Sequence, residues 1–182
     1  EAISQFTHLD NDFTNLAYDY LAGTYIYDFK TKDDNRFKNK AKFYYEKAYE
    51  ISLKFYGKLH INTAESIENI ADFYKQTNDF NSSTKWYKKS LKINIKVFGE
   101  DNKYLASTNK KIAENYASEE MFEKALKKFR DAYKINLKNF GSSSNKTGED
   151  LYQIGRLYLK WKKYNEALNY FKNAEDIFRT NS

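Results

Sequence analysis

The sequence predicts an all-α chain, a solenoid of four antiparallel helix pairs. Three observations carry that reading. Lys54-Phe55-Tyr56-Gly57 returns as Lys96-Val97-Phe98-Gly99 and again as Lys138-Asn139-Phe140-Gly141, so three glycines stand 42 residues apart. Self-similarity at a fixed period of this size marks a stacked array of small structural units. Within each period, apolar and small residues recur at i, i+3, i+4 and i+7, the stripe of an amphipathic helix. The 182 residues include no proline, so nothing obliges a helix to break in its interior.

The elements follow in order. At an offset of 49, Gln5-Phe6-Thr7-His8 falls on Lys54-Phe55-Tyr56-Gly57, so residues 1–8 read as the tail of a preceding helix. Unit one, about residues 9–57, opens with Leu21-Ala22-x-x-Tyr25, also displaced by 49 from Ile70-Ala71-x-x-Tyr74. Its second helix (Ala41, Tyr45, Ala48, Ile51) keeps the 42-residue register, so seven additional residues lie between its helices, around Phe29 to Phe37. Either both helices are about one turn longer, or a loop carrying Lys32-Asp33-Asp34-Asn35-Arg36 protrudes; longer helices are the expectation. Unit two, residues 58–99, places Ile67, Ile70, Ala71 and Tyr74 on one helix, turns at Asn78-Asp79, and places Tyr87, Ser90 and Ile93 on the next. It stops at Phe98-Gly99, where glycine suits a left-handed cap. Unit three, residues 100–141, repeats this with Ile112, Ala113 and Tyr116, then Phe122, Ala125, Phe129, Ala132 and Ile135. Unit four, residues 142–182, gives Ile154, Gly155 and Tyr158, then Tyr164, Ala167, Phe171, Ala174 and Ile177. The small residues Ala71, Ala113 and Gly155 mark where the helices of one pair cross closely. No polar capping helix follows Ile177-Phe178, and the chain opens at Glu1 without methionine. The expectation is a segment of a longer protein, or array ends that pack on something else, self-association included.

Composition narrows the function. The net charge of +6 comes mostly from lysine, with four arginines (Arg36, Arg130, Arg156, Arg179). Such basicity permits acidic partners without demanding nucleic acid. The lysines on the second helices (Lys85, Lys88, Lys89, Lys92; Lys124, Lys127, Lys128, Lys134) read as a solvated convex face, not a nucleic-acid surface, because base-reading arginines and exposed stacking aromatics are not evident. The absence of cysteine excludes disulfides, thiolate metal sites and cysteine nucleophiles. No apolar run approaches the roughly 18 residues that span a bilayer. The cytoplasm is the expected compartment, although a cysteine-free chain also suits the periplasm or secretion. The two histidines, His8 and His60, lack companions at ligand spacing, and Asn102 and Ser144 hold the phase of His60 in the next two units. Asp33-Asp34-Asn35 lacks the spacing of a calcium loop. No phosphate loop or nucleophile elbow occurs. No metal, cofactor or catalytic residue is expected, and the chain reads as non-enzymatic.

The arrangement apolar-small-x-x-aromatic on one helix and Ala-x-x-x-aromatic-x-x-Ala on the next resembles the tetratricopeptide repeat. It is carried by Ile70-Ala71-x-x-Tyr74 with Tyr87-x-x-Ser90, by Ile112-Ala113-x-x-Tyr116 with Ala125-x-x-x-Phe129-x-x-Ala132, and by Ile154-Gly155-x-x-Tyr158 with Ala167-x-x-x-Phe171-x-x-Ala174. The usual unit is about 34 residues; the 42-residue unit is similar to the longer repeats of kinesin light chains and their relatives. Kinesin light chains carry paired asparagines just before the Leu-Ala of the first helix. Here those places hold Glu68-Asn69, Lys110-Lys111 and Tyr152-Gln153, so only Asn69 matches and cargo recognition of that kind does not carry over. The family's closing proline is absent.

The resemblance implies a right-handed stack whose concave face comes from the first helix of each pair. Its groove positions would be Asp19, Tyr20, Gly23 and Tyr27 in unit one, and Glu65, Glu68, Asn69, Asp72 and Gln76 in unit two. Units three and four would add Ser107, Lys110, Lys111, Glu114 and Ser118, then Glu149, Tyr152, Gln153, Arg156 and Lys160. The charge is acidic in unit two and basic or mixed beyond, a pattern suited to a dipolar peptide. The cationic clamp with which some family members hold a carboxy-terminal carboxylate is missing, since Asp19 and Gly23 occupy its places. The implied role is a protein- or peptide-binding scaffold or adaptor. A second reading is a regulatory sensor segment whose groove binds a peptide or neighbouring domain and controls an output domain outside this chain.

Overall fold

A computed structural model of the chain describes residues 11–181. The expected helix tail over residues 1–8, with His8, lies outside them. The described residues form eight α-helices and no strand: α1 (Asn11–Lys32), α2 (Asn35–Tyr56), α3 (Ile61–Gln76), α4 (Phe80–Phe98), α5 (Tyr104–Ser118), α6 (Phe122–Phe140), α7 (Asn145–Lys160) and α8 (Tyr164–Thr180). Short turns join them into four antiparallel pairs, the all-α helix-pair class that the repeat predicts. The pairs fall into two compact units divided between Val97 and Phe98.

The seven additional residues of the first pair lengthen its helices. α1 runs 22 residues against 16, 15 and 16 for α3, α5 and α7, and α2 runs 22 against 19, 19 and 17 for α4, α6 and α8. A two-residue turn, Asp33-Asp34, joins them, and the Asp34 carboxylate caps α2 by accepting from the Arg36 amide at 2.9 Å. The later pairs turn through Asn78, Glu120 and Lys162, all at φ near +60° (59°, 58° and 61°) and 42 residues apart.

The turns between pairs repeat as well. Gly57, Gly99 and Gly141 have φ of 81°, 83° and 84°. At Gly57 and Gly141 ψ is −179° and 168°, an extended conformation at positive φ, and Gly99, where the sequence suggested a left-handed cap, shares the positive φ. That region is essentially reserved for glycine. Thr63 and Thr147, each buried in the helix that follows, donate Oγ1 to the glycine carbonyl at 2.7 Å and fix the turn. Three residues of one phase then close the exposed amides of the next helix. His60 Nδ1 accepts from Asn62 N, Asn102 Oδ1 from Tyr104 N, and Ser144 Oγ from Thr147 N.

Each unit has its own core. In the first, Ala22 and Ile26 of α1 meet Ala41 and Tyr45 of α2 and Ile70 and Phe73 of α3, with Tyr25, Tyr44 and Trp86 packed against them. In the second, Ala113, Ala125, Phe129, Ile154, Leu157, Tyr158 and Ala167 draw on all four helices. The expected close crossings hold: Ala71 and Ala113 are fully buried, and a β-carbon at Gly155 would sit 2.7 Å from the Phe171 ring. Tyr164 departs from its stripe and is 63% exposed, because it stands in the first turn of α8, whose only strong partner among the described helices is α7.

Candidate functional site

In the first unit α1 and α3 lie side by side. The Asn69 side chain hydrogen-bonds Asp19, and Lys30 Nζ donates to Gln76 Oε1 at 2.7 Å. This brings Asp19, Glu65, Glu68, Asn69 and Asp72 onto one surface. Two of the acids serve the packing beneath them. Glu68 accepts from Ser90 Oγ at 2.8 Å, and Asp72 accepts from the Tyr87 hydroxyl. Ser90 and Tyr87 are fully buried in α4, so these carboxylates satisfy hydroxyls that burial would otherwise leave wanting.

Asp19 has no such duty. Burial pushes its carboxyl up to about 6, the Asn69 hydrogen bond opposes this, and the charge of Glu65 adds to it. Its Oδ1 is buried without a hydrogen-bond partner. Glu65 is raised in the same direction, by partial burial and then by Glu68. The neighbouring Tyr45 hydroxyl is pushed up to about 12, by burial and then by Asp19 and Asp72. Burial and neighbouring carboxylates thus act in the same direction on Asp19, Glu65 and Tyr45. Tyr20 and Tyr27 of α1 are 70% and 69% exposed and offer large apolar faces beside this surface.

The second unit is arranged differently. Glu114 of α5 and Gln153, Arg156 and Lys160 of α7 line a cleft of about 270 Å³ with Phe129 and Leu157 behind them. Lys160 Nζ donates to the Ala117 carbonyl at 2.6 Å, tying α7 to α5. Arg156 makes one long bond, 3.3 Å, to Gln153 Oε1 and is otherwise presented to solvent. Lys110 is held elsewhere, 3.2 Å from Asp150, whose side chain is 1% exposed. Asp150 also accepts from Asn136 at 2.6 Å. Lys110 therefore neutralises a buried carboxylate, a function that its place on the first helix did not reveal. The signal was available: Asp150 stands at the phase of Ser66 and Thr108, which are buried small polar residues. Lys111 is half-buried on the same helix. Tyr152 lies apart from the cleft, its ring 5.4 Å from Phe171, on a surface shared with Ala174 and Phe178.

Among the described residues no cluster of three or more His, Asp or Glu could hold a metal ion. None of the described helices is long and apolar enough to cross a membrane.

The sequence model of the tetratricopeptide repeat matches residues 64–138 and 104–180. Three solved structures resemble the fold. BtubC (BKLC) from P. vanneervenii shares 20% identity at a TM-score of 0.76, over 96% of this chain and 66% of that one. Nearly identical TPR-like repeats of a Podosopora anserina protein described as a kinesin light chain share 15% at a TM-score of 0.71, over 90% of this chain and 74% of that one. The apo form of RapI shares 18% at a TM-score of 0.65, over 98% of this chain and 61% of that one. The chain thus spans just under two thirds of the BtubC and RapI chains. No curated protein sequence matches it significantly.

Proposed function

Since the chain belongs to the tetratricopeptide repeat family, we propose that it is a non-enzymatic scaffold that binds a protein or peptide segment along the first helices of its pairs. The observation that carries this is the half-buried Asp19 carboxyl, whose Oδ1 is buried without a hydrogen-bond partner and whose pKa desolvation raises to about 6. A group held in that state lowers the stability of the folded chain above its pKa, and a cation from a bound segment would relieve it. Tyr20, Tyr27, Glu65, Glu68, Asn69 and Asp72 surround that point and would take a segment carrying lysine or arginine beside apolar residues. On the second unit Glu114, Gln153, Arg156 and Lys160 would hold a segment of mixed charge; Lys110 is committed to Asp150, and Lys111 and Tyr152 do not line that cleft. Helix faces fixed by their own packing need little ordering on binding.

The test is affinity capture from source-cell lysate with the native chain and with Glu65→Lys, Arg156→Glu. Both side chains reach solvent and neither holds the fold together, so the melting temperature should not move. A protein retained by the native chain and lost from the variant is the expected result. Equal retention by both would refute the inner-helix site.

A further inference from the structure

We propose that the outer notch of the first unit, between α2 and α4, docks an acidic amphipathic helix of a protein partner. This surface is separate from the one argued above. The notch has a volume of about 650 Å³. Its floor is Tyr49 and Leu53 of α2, Ile67 of α3 and Ile93 of α4; Ile67 is fully buried and Ile93 is 8% exposed. Lys58 stands on one wall, and Lys89, Lys92 and Lys96 stand on the other. The last three follow one α4 stripe at i, i+3 and i+7. Lys89 reaches across, donating to the Tyr49 hydroxyl at 2.9 Å and lying 4.5 Å from the Trp86 ring centre. Among the described residues no carboxylate pairs with any of the four lysines.

The second unit supplies an internal comparison. At the same repeat positions, 84 residues on, it builds an equivalent notch with a volume of about 670 Å³. The apolar residues persist as Tyr133, Leu151 and Ile177. The four lysines do not: Ser142, Asn173 and Asp176 stand where Lys58, Lys89 and Lys92 do, and Thr180 takes the phase of Lys96, while the cations that line this notch, Arg130 and Lys134, both come from α6. The fold therefore needs the floor and not lysines at these four places, and only the first notch carries cations on both walls. Like charges spaced along one helix face repel, so four uncompensated lysines around one apolar notch weaken the free protein slightly. They become favourable when anions lie between the walls.

The occupant follows from that geometry. Cations on both walls suit a segment that carries carboxylates on both flanks and apolar side chains between them, which is an acidic amphipathic helix laid in a groove. One small headgroup would reach only one wall. A flat anionic bilayer would meet the lysines but could not reach the recessed floor at Ile67 and Ile93.

The test uses the full chain and a fluorescein-labelled synthetic helix with leucine at i, i+3, i+4 and i+7 and glutamate on its flanks, followed by anisotropy. One site per chain is expected. Lys92→Glu, Lys96→Glu should weaken it about tenfold or more, and a peptide with glutamine for glutamate should bind as poorly. Ser142→Lys, Asn173→Lys, Asp176→Lys should add a second site. No binding, or binding indifferent to the charge reversal, overturns the proposal. So does loss in Glu65→Lys, Arg156→Glu with retention in Lys92→Glu, Lys96→Glu, which would place the peptide on the first helices. Sedimentation with phosphatidylserine vesicles, abolished by Lys92→Glu, Lys96→Glu but not competed by the peptide, overturns it in favour of a membrane surface.

Discussion

Replacing Asp19 by asparagine should stabilise the protein at neutral pH and do nothing at pH 4. The folded-state pKa of Asp19, about 6, lies above its ordinary 3.8. Between those values the folded chain binds more protons than the unfolded one, so the contribution of Asp19 falls as pH rises and reaches its minimum above pH 6. Two pKa units correspond to about 3 kcal/mol. Local relaxation and the need of the new amide for partners reduce the expected gain to about 1–2 kcal/mol. For a chain of this size that is roughly 3–6 °C in melting temperature. Trp86 packs in the first unit and Trp161 in the second, so fluorescence melts in a Trp161→Phe background report the unit that holds Asp19. The reasoning predicts a gain above pH 6.5 that vanishes near pH 4. A gain independent of pH, or a loss at pH 7.5, would refute it.

Other outcomes follow from the same geometry. Lys110→Ala strands the buried Asp150 carboxylate and should cost about 2–3 kcal/mol in denaturant titrations read at Trp161. Adding Asp150→Thr, the residue that the repeat places at Thr108, should recover most of that loss, and failure to recover would sink the pairing. Gly141→Ala should cost about 1–3 kcal/mol in the same titration. No atom lies within 4 Å of the added β-carbon, so the whole loss would come from the positive φ.

The regular part of this molecule was legible because it repeats. Helix pairs, buried alanines, glycine turns and the shared turn phase of His60, Asn102 and Ser144 follow from a 42-residue register that any one unit states only weakly. The seven residues around Phe29 to Phe37 were ambiguous for a physical reason. One turn added to each of two helices and one protruding loop have the same length in sequence, and only the meeting of Tyr25 with Phe37 and Tyr44 across α1 and α2 decides between them. At the candidate site the sequence marked which helix face to examine. It could not mark which charges that face already spends internally, since Lys110 with Asp150, Glu68 with Ser90 and Asp72 with Tyr87 are pairings between helices. The notch lysines escaped for a related reason, because Lys58 comes from a turn and the others from a helix 31 residues or more further on.

The central claim is that a partner segment lies along the first helices of the pairs. Amide hydrogen exchange of the chain, alone and with the captured partner, tests it most directly. The account predicts slowed exchange in α1 and α3, in α5 and α7, or in both pairs, with α2, α6 and α8 unchanged. Protection confined to the second helices, with none in the first, would contradict it.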